Sequence, residues 1–420
     1  MLGTPSPAAT HAAEWMLEAA LGTIAAPDAF EGMILRLREQ GVQIDRAHLA
    51  YTTLHPLNRG IGATWTTTGG IDLEHYSYER DQDSAGWFNS PIHHIVVNRI
   101  SRLRRRLKGS GAMVDFDILR EFAAQGLTDY YLVTQPFDSF NAAVDIREQF
   151  GDETLTGMTA SFATRRESGF SDEEIETLSW LTAPLGMAVK MADQRQVALN
   201  LANCYIGRDA GPRVLGGEIR RGDFATTPAI VWLSDLRDST ALSATLPRDE
   251  YVATINAFFD CTAGSVEAED GEVLTFIGDG ALAIFSIDAM GEAGARQAAW
   301  RAALRAQDAL GAFNDARRSE GRGDIGWGVA LHAGALDYGN IGSKARHSWS
   351  VIGPVVNETA RLEGLTKSLG EPIVASRSFV DGLAGDWRPL GAHELRGVAA
   401  PMEAFAPPRR SQRTELREAV

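Results

Sequence analysis

Cysteine is scarce in this chain: 420 residues carry two, Cys204 and Cys261, in separate apolar-patterned stretches. Two isolated thiols exclude a disulfide framework and a Cys-based metal site, and they suit a reducing compartment. No apolar run approaches the roughly 18–20 residues that a helix needs to span a bilayer, so a membrane is not expected as a partner. The start, Met1-Leu-Gly-Thr-Pro-Ser-Pro7, lacks the basic-then-apolar order of a secretory signal, and the expected location is cytoplasmic. Positive charge is also in deficit: 40 Lys and Arg stand against 55 Asp and Glu, a net charge of −15. That balance repels a phosphate backbone and argues against nucleic acid as a partner. The one basic run, 102–108, is read as a solvated face. Internal repeats and low-complexity tracts are missing too.

What is present is enough chain for about two or three domains, each with its own core. Residues 1–10 and 408–420 are expected to be disordered ends. Residues 11–190 read as one α+β domain of sensor size. Helical patterns run through Trp15, Leu17 and Leu21, then through Phe30, Ile34 and Leu37. Strand-like runs follow at 47–54, 61–68 and 71–78, a helix at 116–125, a strand from 129 and another at 155–164. Ser171-Asp-Glu-Glu174 has the form of a capping box, with Ser171 as cap and Glu174 three residues on. Ile175, Leu178, Leu181, Leu185 and Val189 continue at helical period, with a kink expected at Pro184. Residues 191–226 read as a helical linker ending near Gly216-Gly217. Such a helix suits a dimer seam and signal conduit; an ordinary core-packing helix fits the same pattern.

From Thr227 the alternation is more regular. Expected elements are a strand at 229–234, a helix at 248–269, and a hairpin of 272–277 and 281–286 turning on Gly278-Asp279-Gly280. A helix at 292–316 follows, then strands at 325–332 and 336–342, a loop, a helix at 355–369, and strands near 386–396 and 402–406. The order β-α-β-β-α-β-β-α-β is that of a ferredoxin-like domain with extra elements. Asp235 and Asp279 each close a predicted strand. Two facing strand-end carboxylates can hold a pair of divalent cations, the apparatus for in-line displacement at phosphorus. Singly, neither says much: strand-terminal aspartates are common, and Gly-Asp-Gly is more often a plain turn than a metal ligand.

Four motifs in register sharpen this reading: Leu233-Ser-Asp-Leu-Arg-Asp-Ser-Thr240, Thr275-Phe-Ile-Gly-Asp-Gly280, His332-Ala-Gly334 with Gly339-Asn-Ile-Gly342, and Val351-Ile-Gly-Pro-Val-Val-Asn-Glu-Thr-Ala-Arg361. With them, residues 215–407 resemble the catalytic domain of class III nucleotidyl cyclases. The resemblance implies that Asp235 and Asp279 chelate two Mg²⁺ or Mn²⁺ ions per active site. Backbone groups around Leu236, Arg237 and Thr240 would bind the phosphates of ATP. Asn357 would orient the ribose, and Arg361 would offset charge building on the α-phosphate. These two lie at i and i+4, so they share a helix face. Outside this context Asn357 would be taken as a helix cap, and Arg361 as a surface ion pair with Glu358 or Glu363. Arg396 stands where the family has a lysine on the terminal phosphates, and a solvated surface charge is the equal alternative. The metal aspartates and the Asn–Arg pair come from different subunits in the family, so a homodimer is implied.

The pattern has departures. Family adenylyl cyclases place a lysine where Thr275 stands, with aspartate or threonine at the position of Ser350; guanylyl cyclases favour glutamate. Two hydroxyls both donate and accept. ATP is the expected substrate, with a guanylate or mixed-purine cyclase, or a catalytically silent nucleotide-binding module, as alternatives. A Gly-Phe pair common in the family is Asp238-Ser239 here, and Asp238 either crowds the triphosphate or caps the next helix. Thr53-Leu-His-Pro56 and 116–131 loosely resemble the GAF-like regions that precede soluble bacterial adenylate cyclases. A small-molecule or protein regulator of that domain is therefore expected, its identity open. His55, His93 and His94 are read as packing or surface residues rather than metal ligands.

Overall fold

The computed structural model describes residues 5–78, 84–137 and 156–408. They form two compact units, divided between Leu201 and Ala202.

The N-terminal unit opens with helices α1 (Pro7–Leu21) and α2 (Ala26–Glu39). Strands β1 (Arg46–Thr52), β2 (Asn58–Thr66) and β3 (Gly70–Ser77) follow, then the short helices α3 (Ser84–Phe88) and α4 (Pro91–Val97). Strand β4 (Arg102–Arg106), helix α5 (Asp117–Ala124) and strands β5 (Asp129–Pro136) and β6 (Gly157–Thr164) complete an antiparallel sheet of order β3-β2-β1-β6-β5-β4. Successive side chains on a strand face opposite ways. Tyr131 and Val133 accordingly join the α1/α2 core, whereas Tyr130 and Leu132 join a second cluster with Leu119 and Phe122 of α5. The run 102–108 is only in part a solvated face: Arg102, Arg106 and Lys108 are exposed, whereas Arg104 and Arg105 are not. Arg104 pairs at 2.8 Å with the fully buried Asp129, which also accepts from the Phe170 N–H, and Arg105 pairs with Asp115. A buried carboxylate needs such partners, and this strand supplies them. The histidines pack: His93 stacks edge-on against Phe88, and His94 lies against Phe116.

Helix α6 (Asp172–Ile206) contains Pro184 and is not ended by it. Its capping box is formed: Ser171 N–H donates to Glu174 Oε2 at 2.7 Å, and Glu174 N–H to Ser171 Oγ at 3.2 Å.

In the C-terminal unit, helix α7 (Ala210–Leu215) precedes strand β7 (Phe224–Arg237), which is longer at both ends than its apolar run. Helices α8 (Ser239–Thr245) and α9 (Arg248–Glu267) lead to the hairpin β8 (Glu272–Ile277) and β9 (Gly280–Ser286). The one-turn α10 (Ile287–Met290), the long α11 (Glu292–Ser319), β10 (Gly326–Gly342), β11 (His347–Ile352) and α12 (Pro354–Leu369) come next. The chain closes with β12 (Ile373–Ser376), α13 (Arg377–Val380), β13 (Arg388–His393) and β14 (Met402–Ala406). The strands form one sheet of order β13-β14-β12-β10-β7-β9-β8, with β11 paired on β10. The expected strand pair at 325–332 and 336–342 is one strand, and the expected loop after it contains β11. One sheet face packs on Val266 of α9 and the alanine row of α11; the other carries α12, whose Leu362 meets Ala330 and Val374.

Candidate active site

Asp235 lies near the end of β7, two residues beyond the apolar run. It is opposite Gly280 on one side and Gly328 on the other. Asp279 sits in the two-residue turn between β8 and β9, after Gly278, whose φ of +63° favours glycine. Pairing of β7 with β9 therefore brings the two aspartates to one corner of the sheet, and the Leu236 N–H donates to the Asp279 carbonyl at 3.3 Å. Gly280 has no room for a side chain, since a Cβ there would lie 2.7 Å from the Ser234 carbonyl and 3.2 Å from Asp235 Oδ1. Burial pushes the Asp235 carboxyl up, the Asp279 charge adds to it, and Lys367 pulls it back.

Two carboxylates that repel each other at a half-buried corner fit a divalent cation. Among the described residues no group of three or more His, Cys, Asp or Glu is arranged to hold a metal. A pair suffices for Mg²⁺ when water and substrate phosphates fill the remaining positions.

Helix α12 presents three working faces. Asn357 and Arg361 are exposed and share one of them, and among the described residues neither side chain has a hydrogen-bond or ion-pair partner. The bland alternatives are not realised: the cap of α12 is Gly353, not Asn357. Glu358 bonds His332 Nε2 at 3.0 Å, and Glu363 accepts from Thr366 at 3.1 Å, so neither pairs with Arg361. Val355, Thr359, Leu362 and Thr366 form the buried face. Glu363 and Lys367, also i and i+4, lie toward the Asp235 corner of the same chain. The charges of Asp235 and Asp279 both raise the Glu363 carboxyl, after burial.

Of the residues expected to touch substrate, Leu236 departs most from its expected part. It is 1% exposed, its side chain lies in an apolar cluster with Phe258 and Leu310, and its N–H is taken by Asp279. The reason is that β7 runs on through Arg237 instead of turning into a helix at Asp235. Arg237 donates to the Glu371 carbonyl at 3.2 Å, while its buried Nε has no hydrogen-bond partner among the described residues. Thr240 is exposed on α8. Asp238 stands at the N-cap position of that helix, but its side chain makes no capping hydrogen bond. It takes a left-handed conformation (φ 56°), and its carboxylate reaches Lys367 Nζ at 2.8 Å. The extra charge noted in the sequence is thus offset chiefly by Lys367, with Arg237 adding to it. Thr275 is half-buried and donates to the Phe276 carbonyl at 3.3 Å. Ser350, opposite Gly339, turns away from the core shared by Trp349 and Val351 with Leu274. Strands β8 and β11 thereby lie near one another within one chain. Arg396 is exposed beyond β13, apart from any ion pair among the described residues.

Sequence reasoning missed Glu363 and Lys367 as neighbours of the aspartates. Their i, i+4 spacing was visible, but nothing in the sequence placed α12 beside the end of β7. His332 stands in the sequence only as part of a motif; it is 7% exposed and bonded to Ser376 at 2.7 Å and to Glu358.

No protein-family profile matches the chain. Adenylate cyclase 1 of Rhizobium meliloti (strain 1021) is 30% identical over 174 residues, 41% of this chain and 26% of that protein. The adenylate cyclase of Anabaena cylindrica is 30% identical over 170 residues, 40% of this chain and 33% of that protein. The chain thus spans about a quarter to a third of the length of these curated relatives. Among solved structures, the guanylyl cyclase Cya2 is 26% identical with a TM-score of 0.39, covering 44% of this chain and 93% of that one. The adenylyl cyclase CyaB from P. aeruginosa is 21% identical with a TM-score of 0.41, covering 45% and 98%. Over the matched stretch this chain is similar to curated nucleotidyl cyclases. The named relatives among them are adenylate cyclases.

Proposed function

We propose that the protein is an adenylate cyclase that converts ATP to 3′,5′-cyclic AMP and pyrophosphate, acting as a homodimer. One observation carries this reading: two mutually repelling strand-end carboxylates in the same unit as an exposed Asn–Arg pair on a helix, without a partner among the described residues. In the reaction the ribose 3′-oxygen forms a bond to the α-phosphorus, its proton is lost, and the bond from the α-phosphorus to the pyrophosphate oxygen breaks. Mg²⁺ or Mn²⁺ bound at Asp235 and Asp279 would lower the 3′-hydroxyl pKa and neutralise the triphosphate. Arg361 would offset charge building on the α-phosphate, and Asn357 would orient the ribose. Phe276 and Ile277, beside Asp279, are 53% and 58% exposed, an apolar tip suited to a second copy of this chain. The N-terminal unit would be a GAF-like regulatory domain; the support is α6, whose residue range crosses the division between the units.

A mixed-purine specificity is the second reading. It rests on Thr275 and Ser350, whose hydroxyls discriminate adenine from guanine less than a charged residue would. The test is incubation of the purified chain with Mn²⁺ and equimolar ATP and GTP, with products identified by mass spectrometry. Cyclic AMP in excess supports the first reading, and comparable cyclic GMP the second. No cyclic product with either Mn²⁺ or Mg²⁺ would remove both.

A further inference from the structure

The sheet of the N-terminal unit buries ionisable groups on the face away from α1 and α2. Arg46 and His48 of β1 stand opposite Thr66 and Thr64 of β2, and Tyr130 of β5 lies two strands away. Burial pushes each toward its neutral form. Arg46 is lowered, His48 falls to about 4, and Tyr130 rises to about 12. His48 is satisfied by Thr64 at 2.9 Å. Arg46 is not: its guanidinium lies 4.9 Å from the centre of the Phe122 ring and makes no hydrogen bond or ion pair among the described residues.

A half-buried guanidinium without an anion is costly, and its planar fork matches carboxylate and phosphate oxygens two at a time. Beside it opens a cleft of about 380 Å³ between the sheet end and α5, lined by Arg46, Arg165, Thr67, Thr68, Phe122 and Gln125. That volume is at the small end of ligand pockets. Arg165 is exposed, and its side chain also lacks an ion pair among the described residues. Of the two carboxylates at the cleft, Asp45 is already used, accepting from the Arg165 N–H at 2.6 Å and from Thr164 at 3.3 Å. Glu121 is exposed at the rim, and Glu74 raises Arg46 only as a distant charge. The cleft therefore offers two unspent cations and a row of hydroxyl and amide donors.

We infer that this cleft binds a small oxyanion, the carboxylate or phosphoryl group of a metabolite-sized ligand. Arg46 is the anchoring donor and Arg165 the second. The site lies within the N-terminal unit, and its occupancy does not depend on the chemistry proposed for the other unit.

The test uses the full chain in thermal unfolding and isothermal titration with inorganic phosphate and, separately, succinate, at ionic strength held constant with chloride. At least one oxyanion is expected to raise Tm saturably. Arg46→Gln and Arg165→Gln should each weaken that binding about tenfold or more, as loss of a charged hydrogen bond does. Phosphate alone acting would mark a phosphoryl ligand, and succinate alone a carboxylate. Arg165 is exposed and Arg46→Gln removes an unpaired charge, so both variants are expected to fold. If neither probe shifts Tm, or if the shift persists unchanged in both variants, the assignment is overturned. Binding that persists in this way would lie elsewhere, for example at the phosphate-handling site of the other unit.

Discussion

Thr275 and His48 show how far a single residue can be read. Thr275 was singled out because a hydroxyl stands where the related cyclases carry a charge, and its half-buried place on β8 keeps it a candidate for contact with the base. Thr275→Lys supplies a charged donor for adenine N1. It is expected to raise the ATP-over-GTP ratio of kcat/KM about tenfold or more, measured with both nucleotides at fixed Mn²⁺. An unchanged ratio would mean that Thr275 does not face the base. His48 gave no signal in the sequence, because its surroundings come from β2 and β6, far along the chain. Burial, then Arg46, holds its pKa at about 4, against 6.5 for a free histidine. Below pH 6.5 the unfolded chain takes up a proton that the folded chain refuses until about pH 4. Its contribution to stability is therefore complete above pH 6.5 and is lost as pH falls toward 4. His48→Gln keeps a partner for Thr64 and cannot titrate. Urea midpoints measured from pH 7 to pH 4 should converge on, or fall below, those of the variant as the pH drops.

At the scale of elements, the sequence located most helices and strands, because period 3.6 and period 2 survive wherever one face is buried. The capping box at Ser171 and Glu174 and the turn at Gly278-Asp279 were legible for the same local reason. Strand β10 was not. Its centre, Ala333-Gly334-Ala335, reads as a break because small residues interrupt the apolar run. The structure shows why they are small: α12 crosses the sheet there, and a Cβ on Gly334 would lie 2.7 Å from Val355 Cγ2. Residues selected for the close approach of a helix thus look like a turn when only neighbours in sequence are seen. Strand β12, of four residues, is too short to show a period. Gly334→Ala should displace α12 or strain it, costing about 1–3 kcal/mol, as overpacking does. Chemical denaturation would measure the loss. A variant as stable as the native protein would mean that α12 yields freely at that crossing. Arg361 and Asn357 ride on this helix, so the same substitution is expected to lower cyclase turnover more than it raises KM.

At the scale of the whole molecule, the candidate site is incomplete in one respect that sequence and structure share. Asp235 and Asp279 have Glu363 and Lys367 of their own chain as neighbours, whereas Asn357 and Arg361 lie on a different, exposed face of the same helix. A helix built this way would serve its own aspartates with one face and a second chain's site with another, and the proposed homodimer follows from that division. The consequence can be measured by mixing. Asp279→Ala and Arg361→Ala should each lower turnover about 100-fold or more alone. Folded and mixed in equal amounts, half of the resulting dimers pair unlike chains. Each such dimer holds one site with both substitutions and one site with neither. Activity should therefore return to about a quarter of the native rate, as a shared two-fold site requires. If the mixture stays as inactive as its components while sizing shows exchanged dimers, then Asp279 and Arg361 act within one chain. If sizing shows only monomers and the native chain is nevertheless active, the shared site is excluded, and Arg361 must reach the reacting phosphate from the chain that holds the metal.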